Sequence, residues 1–160
     1  MTEEKTFTLS QAQHHFAVDF HSRTWELLDK KKRTPDENER MLGYAFASLA
    51  HWRAAGTAVR HQRGEWMLAR VYAVLGEGKL ALHHAHRCVE LLNANEAEME
   101  DFDFAFAYEA VARAFAIEGD RVQAEKFIEK AQTAGRAIAE KEDREVFFTE
   151  FNGGNWNGLK

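Results

Sequence analysis

The sequence predicts an all-α fold of antiparallel helix pairs, with about six or seven helices in total. One segment of the chain repeats at an offset of 43 residues, which is typical of stacked helical repeats. Apolar residues recur at helical spacing along most of the 160 residues, and only one residue is a proline. The predicted helices are joined by short breaks, so helices that follow one another must pack side by side.

Composition and charge narrow the class of protein. A hydrophobic content of 45 % predicts a folded core rather than a disordered chain. The net charge of −5 and the scattered basic residues make nucleic acid and anionic membranes unexpected partners. The single cysteine, Cys88, excludes an intramolecular disulfide framework. Since the N-terminus lacks a signal-peptide pattern and no apolar run reaches membrane-spanning length, we expect a cytoplasmic protein.

The first helix pair is predicted from two capping patterns. We expect residues 1–9 to form a flexible leader, followed by a capping box at 10–13 that starts a helix ending near Lys31. A stronger start signal follows at 34–37. Threonine is the expected N-cap, proline takes the first helical position, and the glutamate side chain can accept a hydrogen bond from the backbone amide of the threonine. The second helix should run from there to about Ala55.

The remaining helices form two further pairs and a terminal helix. Helices are expected at about 58–75 and 79–93, then from Asp101 or Asp103 to Glu118, and from Arg121 to about Ala139. The acidic segment between the second and third pairs is predicted to be a connection. The predicted domain, residues 10–151, thus contains pairs at about 10–55, 58–93 and 101–140 and a helix at about 142–151, with an irregular tail at 152–160.

The internal repeat gives the clearest indication of function. Tyr72 and Phe115 are a conservative pair at the 43-residue offset, and five further pairs are identical: Ala69/Ala112, Arg70/Arg113, Ala73/Ala116, Gly76/Gly119 and Ala81/Ala124. Units of this kind cannot bury their apolar faces alone, and stacking them presents a long surface to a partner. The repeat therefore favours binding over catalysis.

The repeated segments resemble the tetratricopeptide repeat. The resemblance covers about residues 63–133, with a period of 43 instead of about 34 and without the closing proline. Glu65 stands where that family's first helix carries a large aromatic residue. The matching positions are Leu68, Ala69, Tyr72, Gly76 and Ala81 in one repeat, and Tyr108, Val111, Ala112, Phe115, Gly119, Ala124, Ile128 and Ala131 in the next.

This resemblance implies a short right-handed superhelix that binds a protein or peptide in the groove lined by the first helix of each pair. The groove residues it implies are Arg63, Trp66, Arg70, Glu109 and Arg113. Two guanidinium groups in neighbouring layers could bind an acidic peptide through bidentate hydrogen bonds. In the alternative interpretation, the arginines only pair with nearby glutamates of the chain itself. The lysine and asparagine pattern that clamps a C-terminal carboxylate in that family is missing.

Other functions have weaker support in the sequence. Among the eight histidines no Glu-x-x-His or His-Glu-x-x-His motif occurs, so we expect neither a metal nor another cofactor. No enzyme signature is recognisable, and Cys88 falls at a packed position of the repeat. The predicted function is a non-catalytic adaptor. Two alternatives stay open: a homo-oligomer, such as a homodimer, that assembles through an apolar edge, and a metal-binding helical bundle.

The aromatic C-terminal end has two interpretations. The helix that carries Phe147, Phe148 and Phe151 is expected to cap the last repeat, because a solenoid must cover its terminal apolar face. The glycine-rich segment around Trp156 either adds to this cap or docks in a groove of its own or a neighbouring molecule.

Overall fold

The protein is described by a computed structural model that covers residues 2–160. Within these residues the chain is entirely helical and contains no strand, which confirms the predicted all-α class. No helix in this part of the chain combines the length and apolarity that a bilayer crossing needs. The seven helices are α1 (Leu9–Leu28), α2 (Pro35–Ala55), α3 (Ala58–Val74), α4 (Gly78–Ala94), α5 (Asp101–Glu118), α6 (Arg121–Arg136) and α7 (Lys141–Asn152), with a single 3-10 turn at Glu96–Glu98.

The start of α1 differs from the prediction. Thr8, not Ser10, is the N-cap: its hydroxyl accepts a hydrogen bond from the Gln11 amide, and the Gln11 side chain accepts one from the Thr8 amide. The sequence contains this capping box two residues before the expected one, and the earlier box adds helical hydrogen bonds. Of the predicted leader, residues 2–8 have no helix, and Met1 lies outside the described residues.

The end of α1 and the start of α2 are fixed by the connection between them. The guanidinium of Arg33 donates to the carbonyl of Leu27 in the last turn of α1 and to that of Lys30 just after it, which supplements the backbone bonds at the end of the helix. The helix therefore ends at Leu28, before the predicted Lys31. The capping box at Thr34 and Glu37 is confirmed.

Helices that follow each other along the chain pack against each other, and connections of two to six residues make them antiparallel. The helix α3 contacts α2, α4 and α5, so it lies in the centre of the domain. Its close approach to α2 depends on Gly64, where an added Cβ would lie 2.7 Å from Leu49 Cδ1. On α4, Ala81, Ala85 and Cys88 are fully buried, and the burial of Cys88 agrees with the packed position expected for it.

The C-terminal end completes the core. α7 packs on α5 and α6, and the rings of Phe147 and Phe151 are buried there. After α7 the chain turns back through Gly154, whose φ of +75° is in the left-handed region that glycine tolerates. This turn brings Trp156 onto Phe151, with only 4 % of the tryptophan exposed. The irregular tail is thus packed on the domain and contributes to its core.

Candidate binding pocket between the odd-numbered helices

A row of aromatic side chains crosses α1, α3, α5 and α7. The ring centroids of Trp25 and Trp66 are 6.0 Å apart, those of Trp66 and Phe106 5.5 Å, and those of Phe106 and Phe147 5.1 Å. Each ring comes from a different odd-numbered helix. These distances are in the range of favourable aromatic pairs. The row therefore fixes the spacing of the four helices and forms the floor of a shared face.

A pocket of about 260 Å³ opens on this face. Its wall is mostly apolar, and the polar groups are concentrated at a few positions. This composition is the one expected for a ligand site, where apolar contacts give affinity and a few polar groups give orientation. The lining residues are His21 and Trp25 of α1, Gln62, Arg63 and Trp66 of α3, Phe102, Asp103 and Phe106 of α5, and Val146 and Glu150 of α7.

Two buried polar atoms of the lining have no hydrogen-bond partner among residues 2–160. They are the carbonyl oxygen Oε1 of Gln62 and the indole nitrogen Nε1 of Trp66. Gln62 is only 1 % exposed, and its amide nitrogen donates to Sγ of Cys88 at 3.1 Å. Since buried polar groups are normally paired, each unpaired atom marks a position where a ligand group would be favourable. Both atoms belong to residues of the pocket lining, and one is an acceptor and the other a donor.

The charged groups around the pocket are paired. Arg63 binds Asp103 through two hydrogen bonds, from Nε to Oδ1 at 2.9 Å and from Nη2 to Oδ2 at 3.0 Å. Arg70, at the other end of α3, donates to the carboxylate of Glu150 on α7. Bidentate and charge-assisted pairs of this kind hold both partners in place. They leave the pocket close to neutral and tie three of its four helices together.

A second cavity, of about 360 Å³, adjoins the pocket between α1, α2 and α3. His21 and Arg63 line both cavities, so these two side chains form the boundary between them. Arg60 at its edge lies with its guanidinium carbon 4.9 Å from the ring centre of Trp52. Its guanidinium has no carboxylate within 4 Å in the described part of the chain. Arg60 is therefore a positive charge available beside an apolar pocket.

His21 lies at the junction of the two cavities. Burial lowers the pKa of its imidazole, and the positive charge of Arg60 lowers it further. The neutral ring accepts a hydrogen bond at Nε2 from the indole Nε1 of Trp25, at 3.1 Å. This bond fixes the orientation of Trp25 on the pocket wall. It also explains why the Trp66 indole, and not that of Trp25, has a free N–H.

The structure places the five predicted groove residues in two different settings. Arg63 and Trp66 line the pocket, and Arg70 lies next to it in its pair with Glu150. Glu109 and Arg113 are buried, with 2 % and 4 % exposure, and form an ion pair with each other. Arg113 is also covered by the C-terminal tail and donates to the carbonyls of Glu150, Gly153 and Asn155.

Sequence reasoning missed most of the lining. Trp25 was not assigned to any face, and Gln62, Phe102 and Asp103 carry no motif. The one available signal was Trp25 itself, because a large aromatic residue on a predicted first helix matches Trp66 on the next. Val146 and Glu150 could not be found, since their place depends on how α7 folds back on α5.

Apart from His21, no histidine among residues 2–160 belongs to the lining of the pocket. Within residues 2–160 no three His, Cys, Asp or Glu side chains lie close enough together to bind a metal ion. His14 packs edge-on against Trp52, and Nδ1 of His84 lies at hydrogen-bond distance, 2.7 Å, from the buried carboxylate of Glu65. Burial raises the pKa of the Cys88 thiol, so that this sulfur stays neutral and acts as a hydrogen-bond acceptor for Gln62.

Comparisons with protein families, characterised proteins and solved structures give no match. The ligand must therefore be inferred from the pocket. Fold and site together define an all-α domain with a neutral, aromatic pocket, whose lining residues carry a donor and an acceptor without partners among residues 2–160 and which has Arg60 beside it, likewise without a carboxylate partner in that range.

Proposed function

We propose that this chain is a non-catalytic adaptor with a tetratricopeptide-like helical repeat, which binds a peptide segment of a partner protein. The observation that carries this proposal is the aromatic pocket with the unpaired Gln62 Oε1 and Trp66 Nε1. It lies on the face formed by the first helix of each pair, α1, α3 and α5, together with α7. A scaffold role in the cytoplasm fits the same proposal.

Two features support the repeat architecture. Arg70 and Arg113, which are equivalent at the 43-residue offset, both donate to Glu150: Arg70 to its carboxylate and Arg113 to its main-chain carbonyl. Equivalent positions on α3 and α5 thus face the same element. Trp25 and Trp66 likewise occupy neighbouring first helices and contact each other. Stacking of similar helix pairs places equivalent side chains on one continuous face.

Binding is favoured over catalysis by the state of the charged groups. Asp103 and Glu150, the two carboxylates of the pocket, each form an ion pair with an arginine. A general acid or base must be free to reach the reacting group of a substrate, and both carboxylates are engaged by arginines. The pocket is thus suited to contact a ligand and not to exchange protons with it.

The test is selection of binding peptides from a random displayed library. Val146 is 56 % exposed at the pocket edge, so that Val146→Trp should fill the opening without disturbing the core. Val122→Trp is the matched control, since Val122 is 75 % exposed on α6 and lines none of the pocket. We expect peptides that bind wild type and Val122→Trp and lose binding to Val146→Trp. The absence of any enriched peptide, or equal binding to both variants, would contradict the proposal.

A homo-oligomer is the second candidate, and one observation favours it. The first half of α1 and the segment before it expose Phe7, Leu9 and Phe16 by 51 %, 77 % and 43 %. Scattered single residues of this kind are normal, but Leu9 and Phe16 are seven residues apart on one face of α1, and an exposed apolar face suits self-association. Leu9→Lys/Phe16→Lys should then convert a dimer into a monomer in sedimentation equilibrium. A wild-type protein that is monomeric at all concentrations would exclude this function.

A further inference from the structure

The pocket itself indicates which peptide it binds. We infer that its ligand is a tyrosine side chain with an acidic residue beside it in the partner sequence; this inference rests on the proposed peptide-binding function. Three properties of the site support it. They are the size of the pocket, the need of its two free polar atoms for one donor and one acceptor, and the positive charge of Arg60, which has no carboxylate partner among residues 2–160.

Size restricts the ligand to a single side chain. The pocket measures about 260 Å³, below the range of roughly 300–1,000 Å³ that is usual for small-molecule sites. The indole of Trp66 and the rings of Trp25 and Phe106 surround this space. Rings offer their faces and edges to another ring, so an aromatic side chain gains more here than an aliphatic one of similar size.

The two free polar atoms select the kind of ring. Gln62 and Trp66 are four residues apart on α3, which places them next to each other on one helix face. A phenolic hydroxyl can donate its proton to Oε1 of Gln62 and accept from Nε1 of Trp66. Phenylalanine would satisfy neither atom, and a tryptophan indole, which only donates, would satisfy one. Tyrosine carries both functions on one oxygen, which suits two neighbouring atoms of the wall, whereas a neutral imidazole carries them on two separate nitrogens.

The surrounding charges exclude a charged ring. A protonated imidazole would lie beside the guanidinium of Arg63. A phosphotyrosine would bring its charge next to the carboxylates of Asp103 and Glu150, whose own cations are already paired with them. Neither charge has a free counter-ion inside the pocket. The unmodified, neutral phenol is therefore the ligand group that the electrostatics of the pocket support.

Arg60 adds the requirement for an acidic neighbour. The cavity that it borders joins the pocket at His21 and Arg63, so a chain with its tyrosine in the pocket passes Arg60 on the next residues. The guanidinium is exposed, has no carboxylate partner within residues 2–160, and is positioned by Trp52. A carboxylate of the ligand can therefore bind Arg60 without displacing an internal pair.

The test uses three short probe peptides of defined sequence. Acetyl-Glu-Tyr-Glu-amide places an acid on both sides of the tyrosine, and the comparison peptides replace the tyrosine by phenylalanine or both glutamates by glutamine. The protein has four tryptophans, so the NMR signal of the Trp66 indole N–H can be followed during titration. We expect this signal to shift on binding. Affinity should fall roughly tenfold or more without the hydroxyl, and about twofold to fivefold without the acids.

Protein variants locate each preference. Gln62→Met removes the free acceptor and nearly keeps the shape of the side chain, and Trp66→Phe removes the free donor and leaves a smaller aromatic ring; either should reduce the preference for tyrosine over phenylalanine. Arg60→Gln should remove the preference for flanking glutamates. Arg121→Gln is the matched control, because Arg121 is exposed at the start of α6 and far from the pocket lining. If either Gln62→Met or Trp66→Phe fails to fold, the other variant still tests the preference for tyrosine over phenylalanine.

The outcomes separate this inference from the proposed function. Equal affinity for the tyrosine and phenylalanine probes overturns the inference. If some library peptides lack tyrosine and yet lose binding to Val146→Trp, in which the pocket opening is filled, they would support the adaptor function and overturn the inference of a tyrosine ligand. If N-acetyltyrosinamide binds as tightly as the glutamate-flanked peptide, the ligand is a small phenol. That result would overturn the inference that the ligand is an acidic peptide. No binding of any library or probe peptide contradicts both.

Discussion

Arg70 and Arg113 occupy equivalent positions of the repeat and have different surroundings. Arg113 is 4 % exposed, binds Glu109, donates to three main-chain carbonyls, and lies 4.1 Å from the ring centre of Trp156. Arg70 binds only the carboxylate of Glu150, and its buried Nη1 has no partner among residues 2–160. The difference comes from the C-terminal tail. It covers Arg113 and its surroundings on α5, here called the α5 layer, and stops short of Arg70 and its surroundings on α3, the α3 layer.

The comparison shows how one repeat position can support two roles. At the α5 layer the tail occupies the face on which the resemblance places a partner, so Arg113 stabilises the C-terminal end of the domain. Its donors meet the last carbonyls of α7, where a positive charge also suits the helix dipole. At the α3 layer the same face stays open, and the nearby pocket retains a free donor and a free acceptor. We therefore expect stability effects around Arg113 and binding effects around Trp66.

The largest expected effect comes from Arg113→Met. The variant leaves the carboxylate of Glu109 buried without a cation, and breaking a buried pair in this way costs roughly 3–5 kcal/mol. Arg70→Met is the matched change in the open layer. Its pair with Glu150 is 17 % and 34 % exposed, so we expect a loss of only about 1 kcal/mol. Urea unfolding, followed by circular dichroism, measures both free energies.

A double variant refines this comparison. In Glu109→Leu/Arg113→Met no charge is left unpaired, so part of the lost stability should return. The carbonyls of Gly153 and Asn155 would still lack their donor, and full recovery is not expected. Equal losses in Arg113→Met and Arg70→Met would show that the tail gives Arg113 no special role, which would contradict the comparison.

The next effect tests whether the tail is a cap. Trp156 is 4 % exposed, packs on Phe151 and donates to its carbonyl at 3.0 Å. Trp156→Ala should lower the free energy of unfolding by about 3 kcal/mol, a typical cost for a buried tryptophan. Affinity for a pocket-binding peptide should not change, because the pocket lies outside the segment that the tail covers.

An inhibitory tail would behave differently. Removal of residues 153–160 would then raise peptide affinity while costing little stability. Replacement of exposed Asn152 by alanine provides the control for changes at the end of α7, since its side chain contacts only Lys160 in the described hydrogen bonds. Increased peptide binding after tail removal would show that the tail competes with the ligand and would contradict the capping role.

The sequence predicted the helices well because their signals are local. The 3.6-residue periodicity and the Thr34 capping box depend on neighbours in the chain, and they placed most helix ends within a few residues. The error at Ser10 has the same origin, since Thr8 offers an equally good local pattern. Arg33 ended α1 earlier than expected through its side chain, which no local pattern indicates.

The site was less predictable because it depends on contacts distant in sequence. Arg63 and Trp66 were found because both lie on the expected face of α3, and both line the pocket. The pairing of Arg113 with Glu109 followed the alternative interpretation, and four-residue spacing on one helix could indicate it. The contacts of Arg70 and Arg113 with Glu150 span 80 and 37 residues, and only the packing of α7 reveals them.

The smallest expected effect concerns Glu65, a buried carboxylate of the α3 layer that can be compared with Glu109 of the α5 layer. Glu109 has one cation, Arg113, whereas Glu65 on α3 binds Arg53, Arg87 and His84. Arg53 and Arg87 are about half exposed, so water can replace the lost carboxylate around them. We therefore expect Glu65→Gln to cost only about 1–2 kcal/mol at pH 7.

The pH dependence of this effect can separate the charge of Glu65 from its packing. Burial alone would raise the pKa of Glu65, but hydrogen bonds from His84 and Arg87 outweigh it and hold the pKa below 4.5. A lowered pKa contributes stability that is complete above the unfolded value and is lost as pH falls through the folded value. Wild type should therefore lose its advantage over Glu65→Gln below about pH 4.5. Urea unfolding at a series of pH values measures this, with the exposed Glu142→Gln as control. If the difference in free energy of unfolding between wild type and Glu65→Gln stays constant down to the lowest pH, the effect of Glu65 comes from its shape and hydrogen-bond geometry and not from its charge. The charged groups of the two layers would then differ only at Arg113, which the tail covers.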